Sequence, residues 1–195
     1  MPIPTLDTER LLIREFRAED GEGRRTLIEE GFESAITHEQ NDTWLRWMLL
    51  NYRALENLYQ PPYGDYAITL KTTGDLIGAV GLVPSVIPWG VLPAFRVPEE
   101  APHTLISPEF GLFWVIGKAH RRQGYAAEAA RGLITYLFDE LSVRRVIAQT
   151  DHANLASQAV MRSLGMAIYH NPGDTPFWFE VVGVLNHPSH AHERR

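Results

Sequence analysis

The chain has 195 residues, of which 45% are hydrophobic and 22% charged, with a net charge of −6. This length suits one domain with a substantial core, and no apolar run approaches the ~20 residues that span a bilayer. The acidic balance argues against nucleic-acid partners, while the lack of cysteine excludes disulfides, thiolate metal sites and a cysteine-borne covalent intermediate. With no secretory signal at its start, we expect a cytoplasmic protein without a membrane partner.

The first elements predicted along the chain are one strand and two helices. Residues 8–16 indicate a strand that ends at a polar helix start, and residues 20–36 suggest a short helix. Asp42 is predicted to cap a longer helix that runs from Thr43 to about Tyr59. We expect most apolar side chains of this second helix to face the core.

A β-hairpin and a proline-rich segment follow. Residues 66–70 and 76–83 flank a turn-rich stretch, in which Gly78 and Gly81 indicate a bulge or a close approach of two backbones. Six prolines fall in the segment 84–108, and each removes a backbone donor. We therefore expect no regular strand or helix in that segment.

Residues 110–138 contain the strongest functional signal. The apolar run 110–116 is typical of a strand, and apolar residues at helical spacing begin at Ala126. A helix start leaves N–H groups without partners and carries a partial positive charge, while Gly124 lets a ligand approach the backbone. With Arg121 and Arg122 beside it, this turn predicts a phosphate or pyrophosphate site. The alternative is an ordinary basic helix start with its arginines in solvent.

The pattern R-x-x-G-x-A between a strand and a helix resembles the acetyl-CoA-binding motif of the GNAT superfamily of N-acetyltransferases. Lys118 replaces a proline that the family often has three residues before the motif. The resemblance implies that backbone amides hold the pyrophosphate of acetyl-CoA (coenzyme A) as co-substrate. The cofactor-binding residues that it implies in this turn are Arg121, Arg122, Gln123, Gly124, Tyr125 and Ala126.

The opening residues resemble a branch of the same superfamily. Residues 8–20, T-E-R-L-x-I-R-x-F-x-x-x-D, are similar to the opening of the ribosomal-protein N-terminal acetyltransferase (Rim-type) branch. The resemblance covers about residues 7–185 and implies an α/β (α+β mixed) class, with a central mixed, mostly antiparallel sheet flanked by helices. We expect one domain over residues 1–185, an insertion at 84–108, and a solvated tail over 186–195.

A second diagnostic stretch lies near the end of the chain. Residues 143–150 are predicted to form a strand, and Asn154-x-x-Ser157 opens a helix that stops at Gly165. Asn154 is a good helix cap, and Ser157 stands at the position that completes a capping pair. In the resembling family the asparagine contacts the pantetheine arm or the adjoining strand, and the serine lies near the sulfur. Capping and ligand contact are compatible. Residues 177–185 indicate the last strand.

The implied reaction is direct attack of a primary amine on the thioester. It needs proton loss from the amine, a fixed donor to the oxyanion and a hydrogen bond to the leaving sulfur. We expect the backbone N–H of Val115 or Ile116 to serve the oxyanion and Ser157 to serve the sulfur. Glu109, at the start of the central strand, is the leading candidate for the base; otherwise it is a solvent-facing strand end. The lesser candidates are Glu33, His38 and Glu39.

The acceptor is expected to be a protein N-terminus or a small-molecule amine. Trp44 or Trp47 could lie on the wall of its site, and the 84–108 insertion is either a surface feature, with a role in homodimer contact, or part of acceptor selection. Two other classes stay open. One is a non-catalytic acyl-CoA sensor; the other is a nucleotide-binding protein, which fits the basic turn but not Asn154-x-x-Ser157. No metal is expected.

Overall fold

Eight strands and four α-helices are formed by residues 3–96 and 106–190, the part of the chain that the computed structural model describes. The strands are β1 (Leu6–Asp7), β2 (Leu11–Glu15), β3 (Gly64–Leu70), β4 (Leu76–Pro88), β5 (Ile106–Ile116), β6 (Arg145–Thr150), β7 (Ala167–His170) and β8 (Val181–Asn186). The helices are α1 (Gly21–Phe32), α2 (His38–Asn57), α3 (Tyr125–Asp139) and α4 (Leu155–Ser163). None of these helices is both long and apolar enough to cross a bilayer.

The chain divides into two units, and strands β4 and β5 run from one into the other. The first unit comprises residues 1–83 and 113–133. Its strands follow the order β1-β2-β3-β4-β5, and the first four pair antiparallel. Leu11 and Ile13 alternate with more exposed neighbours and are fully buried, as expected for a strand with one face on a core. Helices α1 and α2 pack on each other, and α2 contributes the buried Met48.

The second unit comprises residues 84–112 and 134–195. Its strands follow the order β4-β5-β6-β8-β7. The pair β5–β6 is parallel, with Phe110 opposite Val146, and β8 pairs antiparallel with both β6 and β7. A cluster of buried apolar residues forms its core, namely Ile87, Trp89, Val91, Leu92, Ile147, Phe179, Val182 and Val184.

The predicted fold class is confirmed, because the sheet is mixed and mostly antiparallel and carries helices in the predicted order. The hairpin β3–β4 is also confirmed. A register shift at Ile68/Thr69 places a bulge beside Gly78. A Cβ on Gly78 would stand 2.5 Å from the carbonyl oxygen of Val115, and one on Gly81 would stand 2.5 Å from that of Gly64. Both glycines therefore mark close backbone approaches, as predicted.

The start of helix α2 was wrongly predicted. The cap is Thr37, whose Oγ1 accepts from the backbone N of Gln40 (3.1 Å), while the Gln40 side chain accepts from the backbone N of Thr37 (2.8 Å). This reciprocal pair satisfies two helix-start donors at once, which a cap at Asp42 would not do. Helix α2 thus begins at His38, five residues before the predicted start.

The proline-rich segment is more regular than predicted. Pro84 and Pro88 lie inside β4, and Pro108 lies inside β5. Pro84 lies two residues past Leu82, where the pairing of β4 with β3 ends, so its missing backbone donor costs that ladder no hydrogen bond. Residues 97–105 of the proposed insertion, and residues 191–195 of the proposed tail, lie outside the described residues. The single-domain interpretation and the insertion's role stay predictions.

The ends of the sheet also differ from the sequence-based expectation. The opening strand is shorter than 8–16. Residues 8–10 connect a separate short strand, β1, to β2, and the two strands pair with each other. The last strand begins at Val181 rather than at residue 177. The buried side chain of Asn171 donates to the carbonyls of Thr175 (3.1 Å) and Phe179 (2.8 Å), which holds the intervening residues in a loop.

Candidate functional site

The turn between β5 and α3 is anchored to β4 and α1 by backbone and side-chain hydrogen bonds. The N–H of Gly117 donates to the carbonyl of Ile77 (2.9 Å), and that of Lys118 donates to the Glu30 carboxylate (2.6 Å). The Arg121 guanidinium donates to the carbonyls of Ile116 (3.0 Å) and Glu30 (2.8 Å). Arg121 thus stabilises the turn by joining the end of β5 to α1, a role that the sequence did not indicate.

Two residues with positive φ lie immediately before α3. Arg122 has φ 60° and Gly124 has φ 82°. The carbonyl of Gly124 accepts from the N–H of Glu128 (3.0 Å), so Gly124 occupies the cap position. The N–H groups of the following first turn therefore have no partner within the helix. A positive φ is uncommon for a non-glycine residue such as Arg122, and it persists only where the surrounding contacts fix it.

The space beside Gly124 is open except for one guanidinium. A Cβ built on Gly124 would meet only Arg10 Nη2, at 3.4 Å. Arg122, Gln123 and Gly124 are all exposed. An anionic group can therefore approach the free N–H groups and the positive end of the α3 dipole directly. The turn fits a pyrophosphate.

Arg10 is a site residue that the turn motif alone does not reveal. Its guanidinium donates to the carbonyl of Gln123 (3.0 Å), lies 4.5 Å from the centre of the Tyr125 ring and donates to the Glu128 carboxylate (2.7 Å). In the sequence, the only indication that Arg10 belongs to the site was the resemblance of residues 8–20 to the Rim-type opening. The contacts supply a physical reason, because the residue just before β2 holds the turn in place.

Glu128 is the second residue that sequence reasoning missed. Its carboxylate accepts from Thr8 Oγ1 (2.6 Å), from the backbone N of Arg10 (2.8 Å) and from the Arg10 guanidinium. Burial alone would raise the pKa of Glu128, but the hydrogen bonds from Thr8 and Arg10 and the charge of Arg10 lower it below its ordinary value. Glu128 is therefore a carboxylate that joins the connection between β1 and β2 to the first turn of α3.

Val115 and Ile116, the predicted oxyanion donors, are buried at the end of β5. The parallel register between β5 and β6 runs through Phe110 and Gly111, and β5 continues for five more residues. The role of the two N–H groups stays a prediction.

Asn154 and Ser157 lie in the second unit, at the start of α4. The side-chain oxygen of Asn154 accepts from the backbone N of Ser157 (3.0 Å), which confirms the predicted cap. Gly165, with φ 81°, follows the end of this helix as predicted. The contact of Asn154 with pantetheine and that of Ser157 with the sulfur stay predictions.

The candidate base Glu109 is buried and has several partners in the second unit. Its carboxylate pairs with Arg145 and accepts from Ser107 Oγ (2.8 Å) and Trp89 Nε1 (3.2 Å). The Arg145 guanidinium also lies over the Trp89 ring, 4.5 Å from its centre. Glu109 is therefore not a solvent-facing strand end, and its oxygens are already occupied. This geometry favours a structural role, and its role as the base stays a prediction.

The lesser candidates surround the start of α2. Glu33 ends α1 with φ 51°, and His38 Nδ1 lies 3.7 Å from the Glu22 carboxylate. Glu39, together with Trp44 and Trp47, lines a shallow groove along α2, with Gln40 and Thr43 completing its wall. Within residues 3–96 and 106–190, no group of three His, Cys, Asp or Glu side chains is arranged to hold a metal ion.

Comparison with known proteins identifies the family. The acetyltransferase (GNAT) domain profile matches residues 10–167. YjdG of Bacillus subtilis, an uncharacterized N-acetyltransferase, is 38% identical over 65 residues; these are 33% of this chain and 39% of YjdG, so the chain spans about two fifths of that relative.

Solved structures agree on the fold. An acetyltransferase from Agrobacterium tumefaciens has a TM-score of 0.68 at 22% identity, covering 95% of this chain and 96% of its own. RimL, a ribosomal α-N-protein acetyltransferase in complex with coenzyme A, has a TM-score of 0.61 at 14% identity, covering 94% and 96%. These identities establish the fold only. Because the profile covers most of the sequence, the chain belongs to the GNAT acetyltransferase family.

Proposed function

We propose that this protein transfers an acetyl group directly from acetyl-CoA to a primary amine. The observation that carries the proposal is the turn at residues 117–124, which opens α3 with free N–H groups, an uncovered glycine and the Arg10 guanidinium. Acetyl-CoA, when bound, supplies an activated acetyl thioester. Arg121 and Glu128 hold the turn in shape, and Arg10 and Arg122 supply positive charge in a chain whose net charge is −6.

The proposed acceptor class is the α-amine of a protein N-terminus or a small-molecule amine. The Rim-type resemblance of residues 8–20 supports the former, and the likeness to RimL agrees with it at the level of fold. The proposed cofactor contacts extend to Asn154 and Ser157, whose spacing matches the family. Direct transfer is favoured because the chain has no cysteine to carry the acetyl group.

The turn is tested by the substitution Gly124→Glu. It places a side chain at φ 82° and a negative charge where the pyrophosphate would lie. We expect calorimetry to show loss of acetyl-CoA binding, at least a hundredfold, while the protein stays folded. Gly74→Glu is the matched control, because Gly74 has φ 80° and no atom within 4 Å of a Cβ. A folded Gly124→Glu protein with unchanged affinity would contradict the assignment of the turn.

The activity is tested by an amine and peptide panel, read by release of free coenzyme A thiol. We expect turnover with at least one primary amine. Tight binding of acetyl-CoA without turnover of any acceptor would indicate the non-catalytic acyl-CoA sensor instead. Competition by ATP at similar affinity would indicate the nucleotide-binding class.

A further inference from the structure

Helix α1 and the first half of α2 carry most of the negative charge of the chain. Residues 18–47 contain eight acidic and three basic residues, a net charge of −5 in a chain whose total is −6. Arg25 neutralises part of this charge by pairing with two carboxylates of α1. Glu39 and Asp42 are exposed, and among the described residues their carboxylates have neither an ion pair nor a hydrogen bond. This surface therefore favours a cationic partner.

The α2 groove, lined by Glu39, Gln40, Thr43, Trp44 and Trp47, lies on this acidic surface. Glu39, Thr43 and Trp47 follow one another at intervals of four residues, so they form one row along the helix. Trp47 is 54% exposed, and its ring centre lies 6.2 Å from that of Trp44 at an interplanar angle of 58°. A carboxylate and two indole rings thus share one groove that is open to solvent.

An organic cation is the class of ligand that matches these groups. The face of an indole ring attracts a guanidinium or ammonium group, and a nearby carboxylate adds an ion pair. The protein contains one such contact already, because the Arg24 guanidinium lies 3.3 Å from the centre of the Trp44 ring. Arg24 is 5% exposed and donates to Asn41 Oδ1 (2.7 Å), so it belongs to the interior and leaves the groove open. Its charge is included in the net charge of −5.

Helix α1 connects the α2 groove to the strand end where the thioester is expected. Arg24, which contacts Trp44, and Gly31 are seven residues apart on this helix, about 10 Å at 1.5 Å per residue. A Cβ on Gly31 would stand 2.3 Å from Val115 Cγ2, so Gly31 lies against the end of β5. An extended peptide covers about 3.3–3.6 Å per residue. A peptide with its amine at β5 therefore needs at least about three residues to reach the groove.

We propose that the α2 groove binds a guanidinium or ammonium side chain of a peptide acceptor, at the fourth position of the peptide or later. This inference rests on the transfer to a protein N-terminus proposed above, and it names the acceptor class, which is a peptide with a basic residue near its N-terminus. Glu39 and Trp47 select the acceptor and do not touch the reacting atoms. They are specificity-determining residues, so their loss should change KM for the peptide rather than kcat.

Acceptor peptides that differ in one side chain test the charge. One short peptide carries arginine at its fourth or fifth position, and its partner carries citrulline there, which keeps the shape and lacks the charge. We expect KM for the arginine peptide to be roughly five- to tenfold lower, with similar kcat. The difference should shrink at high salt, which screens exposed charges. Equal KM values for the two peptides would overturn the proposal.

Substitutions of Trp47 and Glu39 test the groove itself. Trp47→Leu keeps an apolar side chain and removes the aromatic face, so KM for the arginine peptide should rise roughly fivefold, while that for the citrulline peptide stays unchanged. Trp47→Phe should retain part of the preference, and Glu39→Gln should reduce it roughly threefold. Leu50→Ala is the matched control, because Leu50 is 67% exposed on α2 and lies outside the groove. Wild-type KM values in Trp47→Leu would contradict the proposal.

Binding without turnover separates this inference from the proposed function. The arginine peptide with an acetylated N-terminus has no amine to react, and calorimetry should show that it binds the wild type at least about fivefold more tightly than it binds Trp47→Leu. If this difference is found and no amine is turned over, the proposed function fails and the cation site is supported. If amines are turned over and the difference is absent, the inference alone is overturned. A change of mass in ultracentrifugation of Trp47→Leu, with peptide binding unchanged, would show that a second copy covers the groove and would also overturn it.

Discussion

Glu128 shows how one side chain connects distant parts of the sequence at the candidate site. It is 120 residues from Thr8, yet the Thr8 hydroxyl donates to its carboxylate at 2.6 Å. The same carboxylate receives the Arg10 guanidinium, whose other donor reaches the carbonyl of Gln123. The contacts of Thr8 and Arg10 thus join the opening motif to the turn before α3.

The substitution Glu128→Gln should weaken both stability and acetyl-CoA binding. We expect a loss of about 1 kcal/mol in unfolding free energy at pH 7, since Arg10 is 43% exposed and solvent screens the pair. The lowered pKa of Glu128 means that its stabilisation is complete above its unfolded value, near 4.5, and is lost as the pH falls through the lower folded value. The deficit of the variant should therefore shrink in denaturant titrations at pH 3.

Glu9→Gln is the control, because Glu9 lies in the same opening segment and its side chain is exposed. Acetyl-CoA affinity should fall roughly tenfold in Glu128→Gln and stay unchanged in Glu9→Gln. Equal affinities in the two variants would show that Glu128 does not support the turn.

Glu109 offers a test between two roles. If its pairing with Arg145 is structural, Glu109→Gln should lose about 2 kcal/mol of unfolding free energy, because a charge is left without its partner. Arg145→Gln should then give a similar loss. If Glu109 is instead the base, kcat should fall ~10²–10⁴-fold at pH 7, and the deficit should shrink at higher pH as more of the amine is neutral. Denaturation curves of both variants measure the structural role, and pH profiles of kcat measure the role as the base.

At the scale of elements, local patterns predicted most of the structure. Alternation and turn residues were sufficient for β3, β4 and the helix stop at Gly165. The start of α2 was missed because Asp42 has the higher intrinsic capping propensity, whereas the reciprocal hydrogen bonds of Thr37 and Gln40 set the actual start of the helix. Arg10 and Glu128 could not be paired from the sequence, since no local pattern reports a contact across more than a hundred residues.

The cap of α2 gives an element-scale prediction. Thr37→Ala removes the acceptor for the backbone N of Gln40 and should lower the unfolding free energy by ~1 kcal/mol. Thr43→Ala, inside the same helix and exposed, should be neutral or slightly stabilising because alanine has the higher helix propensity. Chemical denaturation of both variants measures the difference. Equal stability of the two would argue against a capping role for Thr37.

At the scale of the whole molecule, the lack of cysteine has a kinetic consequence. Direct transfer requires acetyl-CoA and the amine to be bound together, because no thiol can store the acetyl group between two half-reactions. Double-reciprocal plots of initial rate, with each substrate varied, should therefore intersect. Parallel lines together with an isolable acetylated enzyme would require a covalent carrier of another kind.

The order of the two units along the chain has a consequence for biosynthesis. The first unit ends at residue 83 and resumes at residue 113, so about thirty residues of the second unit are made in between. A ribosome that has translated the β3–β4 hairpin has not yet made the turn at 117–124, nor Glu128. The nascent opening segment therefore lacks the Glu128 carboxylate, which accepts hydrogen bonds from Thr8 and Arg10, until α3 has been made. A truncated product that stops before residue 128 would contain the opening motif and the turn at 117–124 but not the carboxylate that joins them.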